Sequence, residues 1–355
     1  MAGGSRPSIR DVAREAGVAI ATVSRVMSGN ATVAADLRER VLAAAARLNY
    51  QPNFMAQGLR KGRSRAVGFV TDDLSNPMTA VIASGAESVF RDAGLMLIVM
   101  NSEHDPSIEA SHLRYLHARR ADAILLTSAS DFHPVVAAAL RESEVPVVLI
   151  EADMPTDVGA SIVVSDHRAG IRDAMTRLIG LGHRRIGLLP GPLRYRAGRE
   201  RMAGANEAAA LGGNVRVEFV ECELDAEQGR AAAAQLLNIQ PAVTALIVGG
   251  NQMLEGVLGA LDARGLGAGT DIALVTSDEV GINRVHRPPL TAISRDAFGL
   301  GVAAASILVR QLAVDVAPET VILPVNLIWR ESCPPVPSPP PERRASPSIS
   351  AEPPT

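Results

Sequence analysis

Cysteine and aromatic residues are scarce in this 355-residue chain. It contains two cysteines, Cys222 and Cys333, and aromatic residues make up 3% of it. Two thiols cannot form a disulfide framework or a four-ligand zinc site, so a reducing, cytoplasmic location is the simplest expectation. Because rings are so few, the core must be built from Ala, Val, Leu and Ile.

Long apolar runs are also lacking. No stretch of 18 or more consecutive residues is apolar, which argues against a transmembrane helix. The N-terminus has no apolar segment followed by a small-residue cleavage site, so we expect no signal peptide. With 47% hydrophobic and 21% charged residues, the composition is typical of a folded soluble protein, and its length predicts two or three domains.

Catalytic and metal-binding motifs are missing as well. The sequence has no GxSxG, HExxH or P-loop, and its seven histidines show no metal-ligand spacing. The run Gly265-Leu-Gly267-Ala-Gly269 imitates a dinucleotide fingerprint, but it precedes a predicted strand, so no helix N-terminus follows it to bind a phosphate. We therefore expect no enzymatic activity, no cofactor and no metal ion.

What the chain does have is an uneven distribution of charge. Residues 1–65 carry eleven Arg and Lys against four Asp and Glu, a net charge of +7, so the other 290 residues carry −10. A small basic segment joined to a large acidic body is the pattern of a protein whose basic part meets a polyanion.

The basic segment carries the pattern of short helices. Ser8 and Asp11 have the spacing of a capping box, with apolar residues following at helical intervals. After a glycine turn, a second helix fits residues 19–27 and a third fits residues 34–48. Residues 53–62 form a short candidate helix that is marginal in isolation. Two helices joined by a tight turn suggest a helix-turn-helix.

From residue 66 onward, short apolar runs alternate with helical patterns. The runs occupy residues 66–71, 95–100, 122–127, 145–150, 161–164, 185–190, 217–221, 244–249 and 272–276. This alternation predicts parallel sheets with crossover helices, and nine strands are too many for one compact sheet of ordinary size. We therefore expect two α/β lobes, with residues 290–294, a helix and residues 321–329 able to cross back between them.

Several motifs resemble one family across residues 8–333. The segment SIRDVAREAGVAIATVSRVMSGNATVAADLRERVLAAAARLNYQPNFMAQGLRKGRS is similar to the DNA-binding head and hinge of the LacI/GalR family of bacterial transcription regulators. The likeness continues through VTDDLSNP, LGHRRIGLLPGP, RMAGA, PPLTAI and RESC. It implies an all-α helix-turn-helix head with a hinge helix, followed by a two-lobed α/β body like a periplasmic binding protein, with a small ligand between the lobes.

The resemblance sets the expected domain boundaries. The head is residues 1–50, the hinge helix and linker 51–65, and the effector-binding and dimerisation domain 66–332. Lobe 1 comprises about 66–164 plus 295–323, and lobe 2 about 165–290 plus 324–332. Residues 333–355 are rich in Pro and Ser, and their composition predicts a disordered tail.

The family pattern assigns DNA contacts to the head and hinge. Ile20, Ala21 and Arg25 match positions that face bases, and Arg25 can bond guanine with both ends of its guanidinium. The remaining residues that it assigns to DNA are Ser8, Thr22, Ser24, Asn30, Asn53, Ala56 and Leu59, with Leu59 as a wedge in the minor groove. The alternative for Arg25 is a surface salt bridge, and for Leu59 a place in the core.

Three residues depart from the family pattern in this segment. Ala19 and Ala34 stand where the family has serine at a helix start, and each missing cap costs about 0.5–2 kcal/mol. Gly58 lies inside the hinge helix and costs about 0.5–1 kcal/mol relative to Ala. The head is therefore expected to depend on DNA for its order.

The resemblance also places an effector site in the body. Arg201 matches the arginine that grips the effector, and Asp278 the carboxylate opposite it, and together they can bond the hydroxyl groups of a sugar. Arg201 could also pair with a carboxylate or phosphate of the effector; alternatively, the two residues only pair as an interlobe salt bridge. Asn251 replaces the usual aspartate, and Met78 and Thr79 follow Asn76 and Pro77 where many members have two phenylalanines. The other positions that match the cleft are Ser128, Glu151, Asp166 and Arg295.

These observations predict a transcription regulator that acts as a repressor. We expect a homodimer on a pseudo-palindromic operator, controlled by a small molecule, a sugar or sugar derivative, in the interlobe cleft. The sequence leaves open whether the effector releases DNA or acts as a corepressor. The alternatives are a solute-binding protein for transport and an α/β enzyme with an accessory DNA-binding head.

Overall fold

The computed structural model describes residues 7–27, 33–50, 64–128 and 130–336. Within these ranges no helix has the length and apolarity needed to cross a bilayer, and no group of three or more His, Cys, Asp or Glu side chains is placed to hold a metal ion.

The head consists of three helices, α1 (Ile9–Ala16), α2 (Ile20–Met27) and α3 (Ala35–Arg47). Gly17 ends α1 with φ of +63°, in the left-handed region that glycine enters without strain, and this turns the chain tightly into α2. The buried residues of the head core are all Val and Ala, and the fully buried ones include Val12, Val23 and Val41, one from each helix.

The body contains twelve strands among its described residues. They are β1 (Ala66–Thr71), β2 (Met96–Asn101), β3 (Ala123–Leu126), β4 (Val147–Ile150), β5 (Ser161–Ser165), β6 (Arg185–Leu189), β7 (Arg216–Phe219), β8 (Ala245–Val248), β9 (Ala273–Ser277), β10 (Thr291–Arg295), β11 (Thr320–Leu323) and β12 (Val325–Ile328). The nine predicted strands are all present, each within about two residues of its predicted bounds.

The helices between the strands continue the numbering of the head. They are α4 (Pro77–Asp92), α5 (Pro106–Ala118), α6 (Pro134–Arg141), α7 (His167–Gly180), α8 (Arg196–Leu211), α9 (Ala226–Leu237), α10 (Leu254–Asp262), α11 (Gly281–Val285) and α12 (Ala297–Ala313). Short 3₁₀ turns lie at Thr156–Val158 and Asn251–Met253.

The strands form two six-stranded sheets, one in each lobe of the body. Lobe 1 has the order β11-β5-β4-β3-β1-β2, and the four pairings from β11 to β1 are parallel, while lobe 2 has the order β12-β10-β9-β8-β6-β7. In lobe 2 the pairing of β12 with β10 is antiparallel. Strands buried on both faces need helices on both sides, which explains the continuous apolar runs of β3, β4 and β8. The predicted fold class is confirmed.

The chain crosses between the lobes three times. The crossings follow β5, follow β10, and lie at Pro324 between β11 and β12. Thr291–Arg295 pairs within the second sheet, so lobe 2 extends to Arg295 instead of ending near residue 290. Within the segment at residues 321–329, β11 ends at Leu323 and β12 begins at Val325, and the two strands belong to different sheets.

The prediction of a disordered tail from residue 333 is wrong for the first residues of that segment. Cys333 is buried in lobe 2, the carbonyl of Pro334 is 3.0 Å from His183 Nε2, and the Val336 N–H donates to the Leu181 carbonyl. Burial and hydrogen bonds to lobe 2 thus order these residues, although their composition is typical of a disordered segment. Residues 337–355 lie outside the described part of the chain.

Candidate DNA interface and effector cleft

The second helix of the head turns three of its predicted base-reading residues outward. Ile20, Ala21 and Arg25 are exposed, whereas Val23 and Val26 on the opposite face are buried in the head core. Thr22 and Ser24 are half-buried between these faces. The helix therefore has one surface that is available to a groove of DNA, and base contact by these side chains stays a prediction.

The helix starts in the head differ in how they are capped. The backbone N–H and the hydroxyl of Ser8 donate to Asp11 Oδ2 over 2.9 and 2.7 Å, and these bonds lower the pKa of Asp11. Ala34 precedes α3 without any side-chain cap, as its substitution for serine predicts. The predicted DNA contacts Asn30, Asn53, Ala56 and Leu59, together with Gly58, lie outside the described residues.

A cavity of about 100 Å³ lies between the two lobes, where the carboxyl ends of both sheets meet. This is where open α/β sheets bind their ligands, because the loops after the strands converge there. Eight predicted effector residues line it: Asn76, Met78, Ser128, Glu151, Arg201, Asn251, Asp278 and Arg295. Three of them, Glu151, Asp278 and Arg295, directly follow or end a strand.

Asp166, the ninth predicted residue, is not among the residues that line the cavity. It is the N-cap of α7, and its carboxylate accepts a hydrogen bond from the Ala169 N–H over 2.9 Å. Its position at an interlobe crossing is matched by Asp296, which caps α12 through the Gly299 N–H. Asp166 thus caps the start of α7, and its predicted contact with an effector stays untested.

The centre of the cleft is a buried ion-pair network around Arg295. Its guanidinium bonds both carboxylate oxygens of Asp278, over 2.6 and 3.0 Å, and Glu151 Oε1 over 3.0 Å. Burial opposes ionisation of Glu151, but His167 and Arg295 hold the pKa of this carboxyl far below its usual range. Asp278 is likewise held ionised against burial by Arg295 and by the Asn251 amide, so its pKa is lowered.

Arg201 enters the same cavity from α8 with its hydrogen-bonding capacity incompletely used. Its side chain is buried, one terminal nitrogen donates to the Pro190 carbonyl over 2.9 Å, and its Nε has no partner. Burial, and next the like charge of Arg295, lower the pKa of this guanidinium to about 10. A buried donor without an acceptor is costly, so a ligand atom at Nε would stabilise it.

The predicted alternative, a salt bridge between Arg201 and Asp278 across the cleft, is wrong. Both side chains belong to lobe 2, and Asp278 pairs with Arg295. The ion pair that crosses between the lobes at this point joins Arg295 to Glu151. The sequence could not distinguish these pairings because Glu151, Asp278 and Arg295 all lie at strand ends that meet at the same cleft, and Arg201 enters it from α8.

Amide side chains add further bonds across the cleft. Asn251 Nδ2 donates to Asp278 Oδ2 over 2.8 Å and to Asn76 Oδ1 over 3.3 Å. Gln252 Nε2 donates to Asp73 Oδ2 over 2.6 Å. Asn251 therefore bridges lobe 2 to lobe 1, which an aspartate at this position could not do by donation.

Ser128 lines the cavity but directs its hydroxyl away from a ligand. The hydroxyl donates to Glu109 Oε1 over 2.9 Å, and both side chains are buried. Ser128 thus holds a buried carboxylate behind the wall of the cleft, and its predicted contact with an effector stays untested.

Comparison with known proteins fits this architecture. Residues 8–53 match the model described as bacterial regulatory proteins, lacI family, and residues 175–333 match that of a periplasmic binding protein-like domain. The chain is 31% identical to the ribose operon repressor of Bacillus subtilis over 330 residues, which covers 92% of this chain and 98% of that protein. The chain belongs to the lacI family.

Other members are similar over comparable lengths. The lactose operon repressor of Escherichia coli K12 is 30% identical over 327 residues, 92% of this chain and 90% of that protein. A lac repressor dimer bound to operator and the anti-inducer ONPF superposes with a TM-score of 0.82 at 29% identity, covering 93% of this chain and all of that one. A CelR–cellobiose complex has a TM-score of 0.70 at 29% identity, covering 92% of this chain and all of that one.

Membership settles the broad functional class of the chain. The relatives include a lactose operon repressor, the transcriptional repressor PurR and a ribose operon repressor, so this LacI-family protein is a DNA-binding transcription regulator and not an enzyme. The predicted family is confirmed. The glycine run at residues 265–269 lies in a loop that leads into β9 and not into a helix, as its position in the sequence predicted.

Sequence reasoning missed several residues that line the cleft. Asp72 and Thr127 follow β1 and β3, and the Thr127 hydroxyl donates to Asp72 Oδ1 over 2.9 Å. Tyr195, just before α8, supplies an aromatic ring from lobe 2, and burial raises the pKa of its hydroxyl to about 12. The motif VTDDLSNP contains Asp72, so the position of the first Asp directly after a strand was the available signal.

Proposed function

We propose that this protein is a cytoplasmic homodimeric repressor whose binding to a two-fold operator is controlled by a neutral polyhydroxy ligand, a sugar or sugar derivative, in the cleft. The observation that carries the effector proposal is the buried Arg201, which lines the cavity with its Nε unpartnered. The LacI-family head supports DNA as the other ligand.

The charges in the cleft favour a neutral effector. Glu151 and Asp278 contribute two negative charges, and Arg201 and Arg295 contribute two positive charges in the same buried cluster. Burial raises the pKa of Asp72, the third carboxyl group that lines the cavity, and so favours its neutral form. A charged ligand would unbalance this cluster in a low-dielectric site, where an uncompensated charge is expensive. Hydroxyl groups can accept from Arg201 and donate to carboxylates, so a polyol satisfies both without adding charge.

The related structures are consistent with this ligand class. The relatives include a ribose operon repressor and a lactose operon repressor, and one similar structure holds cellobiose. The wall of the cavity also contains apolar side chains, among them Met78, Ile82 and Leu224. A sugar presents both hydroxyl groups and C–H faces, and therefore suits a site of mixed character.

Exposed apolar side chains support the homodimer. Met96, Ile98 and Val99 lie on β2, the edge strand of lobe 1, and the most exposed of them, Met96, has 68% of its surface free. Val285 on α11 of lobe 2 is 66% exposed. A second copy would cover this surface, and a two-fold dimer would present two recognition helices to two half-sites.

Thermal denaturation with a sugar panel tests the effector proposal. Neutral pentoses, hexoses and disaccharides are compared with sugar acids of the same carbon skeleton, for the wild type and for Arg201→Ala. We expect at least one neutral sugar to raise the Tm of the wild type and to have no effect on the variant. Stabilisation by the sugar acids alone would contradict a neutral effector, and turnover of a sugar that binds would favour the enzyme alternative.

A further inference from the structure

We infer that Asp131 and Asp153 are positioning residues that form an ion-pair latch between the lobes and thereby fix the helix that carries Arg201. The latch consists of Asp131 and Asp153 in lobe 1 and Arg196 and Arg199 in lobe 2. The part of the inference that concerns Arg201 rests on the proposed function, because it treats the cavity as the effector site.

Four contacts join the two sides of the latch. Asp131 accepts the backbone N–H of Arg196, and its Oδ2 is 2.9 Å from a terminal nitrogen of Arg199. Asp153 bonds Arg196 over 3.0 Å and the same nitrogen of Arg199 over 2.9 Å. Each aspartate therefore contacts both arginines.

The acidic side of the latch is built as one unit. Asp131 lies in the loop after β3 and Asp153 in the loop after β4, and the Asp153 N–H donates to Asp131 Oδ1 over 3.1 Å. The Asp131 side chain is completely buried. Loss of the Arg199 guanidinium would leave the buried Asp131 carboxylate without its ion-pair partner, in surroundings from which water is excluded, so the latch is strongest when complete.

The neighbouring Phe132 adds a contact to the same arginine. The centre of its ring is 5.7 Å from the guanidinium carbon of Arg199, within the range of a cation–π interaction. Phe132 is half exposed and has a φ of +57°. A bulky side chain at positive φ is strained, so the loop holds this ring against lobe 2 at a conformational cost.

The geometry of α8 connects the latch to the effector cavity. Arg196 and Arg199 are three residues apart on one face of the helix, and Gly198 and Arg201, also three apart, line the cavity. A Cβ atom at Gly198 would lie 2.3 Å from the Pro192 carbonyl oxygen, so the first turn packs tightly on the preceding loop. The first turn and Arg201 therefore move together.

This arrangement gives the latch a role in the response to effector. Separation of the lobes must break the contacts of Arg196 and Arg199 before Arg201 can move away from lobe 1. The latch therefore sets the population of the closed conformation in the absence of ligand. A ligand shifts that population only through its difference in affinity for the closed and open states.

Distance measurement between two spin labels tests the latch directly in the full chain. Ser107→Cys in the first turn of α5 and Glu227→Cys in the first turn of α9 place one label on each lobe, both exposed. The native thiols do not compete, because Cys222 and Cys333 are buried and burial raises their pKa values. Labelled protein is diluted with unlabelled protein so that each distance belongs to one protomer.

We expect Asp153→Asn, and separately Arg199→Gln, to shift the main distance population to larger separations. Added salt should produce the same shift in the wild type and a smaller one in the variants, because screening acts on the ion pairs. Asp153→Glu should restore the shorter distance. A general loss of packing would not respond to salt in this way and would not be reversed by Asp153→Glu, so these two results distinguish an ion-pair latch from a packing defect.

Glu223→Gln is the matched control. Glu223 pairs with Arg194, two residues before α8, and both belong to lobe 2. This substitution should leave the distance unchanged. An unchanged distance in both latch variants, or an equal shift in Glu223→Gln, overturns the inference. Failure to bind sugars or operator would instead overturn the proposed function and leave the distance result standing.

Discussion

Arg295 and Glu151 lie on different lobes and are joined by an ion pair in which Arg295 Nη1 is 3.0 Å from Glu151 Oε1. Arg295 ends β10 in the second sheet, and Glu151 follows β4 in the first. Glu151 has a φ of +57°, and Asp278, the second partner of Arg295, has a φ of +68°. Both carboxylates are thus held in strained backbone conformations that direct them to one guanidinium, as is common at functional sites.

The first prediction concerns the stability of this network. Glu151→Gln should lower the free energy of unfolding by about 3 kcal/mol, because loss of one partner leaves buried charge uncompensated. Urea denaturation measures this change. Asp157→Asn, which removes an exposed pair with Arg141 inside lobe 1, is the control and should have a much smaller effect. Equal effects of the two substitutions would contradict the account.

The second prediction concerns base recognition by α2. Arg25→Ala should lose about 1–3 kcal/mol of discrimination per half-site at an operator that contains guanine. Fluorescence anisotropy with an operator selected from random DNA by the wild type, and with a scrambled version, measures the discrimination. Arg47→Ala is the control, since it removes one positive charge from the head at a residue on α3 that pairs with Glu15. Arg25→Ala should reduce the ratio between the Kd for scrambled DNA and the Kd for the operator, whereas Arg47→Ala should leave this ratio unchanged. An equal reduction in both variants would contradict base recognition by Arg25.

The third prediction concerns pH. Burial lowers the pKa of His183, which lies 2.9 Å from the Thr244 hydroxyl and contacts the Pro334 carbonyl. Because the folded-state pKa lies below the unfolded value of about 6.5, this neutral imidazole stabilises the protein above that pH. The contribution is lost as the pH falls below 6.5, with a slope of at most about 1.4 kcal/mol per pH unit. His183→Gln should flatten the dependence of the free energy of unfolding on pH in this range. An unchanged dependence would show that His183 is not the group responsible for it.

The fourth prediction concerns the segment after Cys333. Truncation after Val336 should leave the dimer and its Tm unchanged, since the last contact described is between Val336 and Leu181. Truncation after Cys333 also removes Pro334 and Val336 and should lower the Tm. Light scattering and thermal denaturation of both truncations provide the test. A stable tetramer that requires residues 337–355 would contradict it.

Much of the fold could be predicted because its signals are local. Buried parallel strands are continuous apolar runs, and the runs from Ala66 to Ser277 identify them directly. The change of lobe between residues 323 and 324 was expected from the family resemblance, whereas the apolar pattern alone leaves VILPVNLIW as one segment. Pro324 has no N–H to donate to a sheet, so it fits the junction between β11 and β12.

The cleft could be predicted only in part. Matching to the family motif brought eight residues to one cavity, but it could not give the partners of Arg295, which lie 17 and 144 positions away in the sequence. The latch had no sequence signal either. Asp131, Asp153 and Arg199 belong to separate loops and a helix, and only the approach of the two lobes brings them together.

The central claim is that a ligand in the cleft controls the operator affinity of the head. The direct measurement is an operator titration by fluorescence anisotropy, with and without a neutral sugar that raises the Tm of the wild type, for the wild type and Arg201→Ala. The sugar should change the operator Kd of the wild type at least tenfold and leave that of the variant unchanged, with similar Kd values for both proteins without sugar. An equal sugar response in the two proteins, or no response in the wild type, would contradict the account.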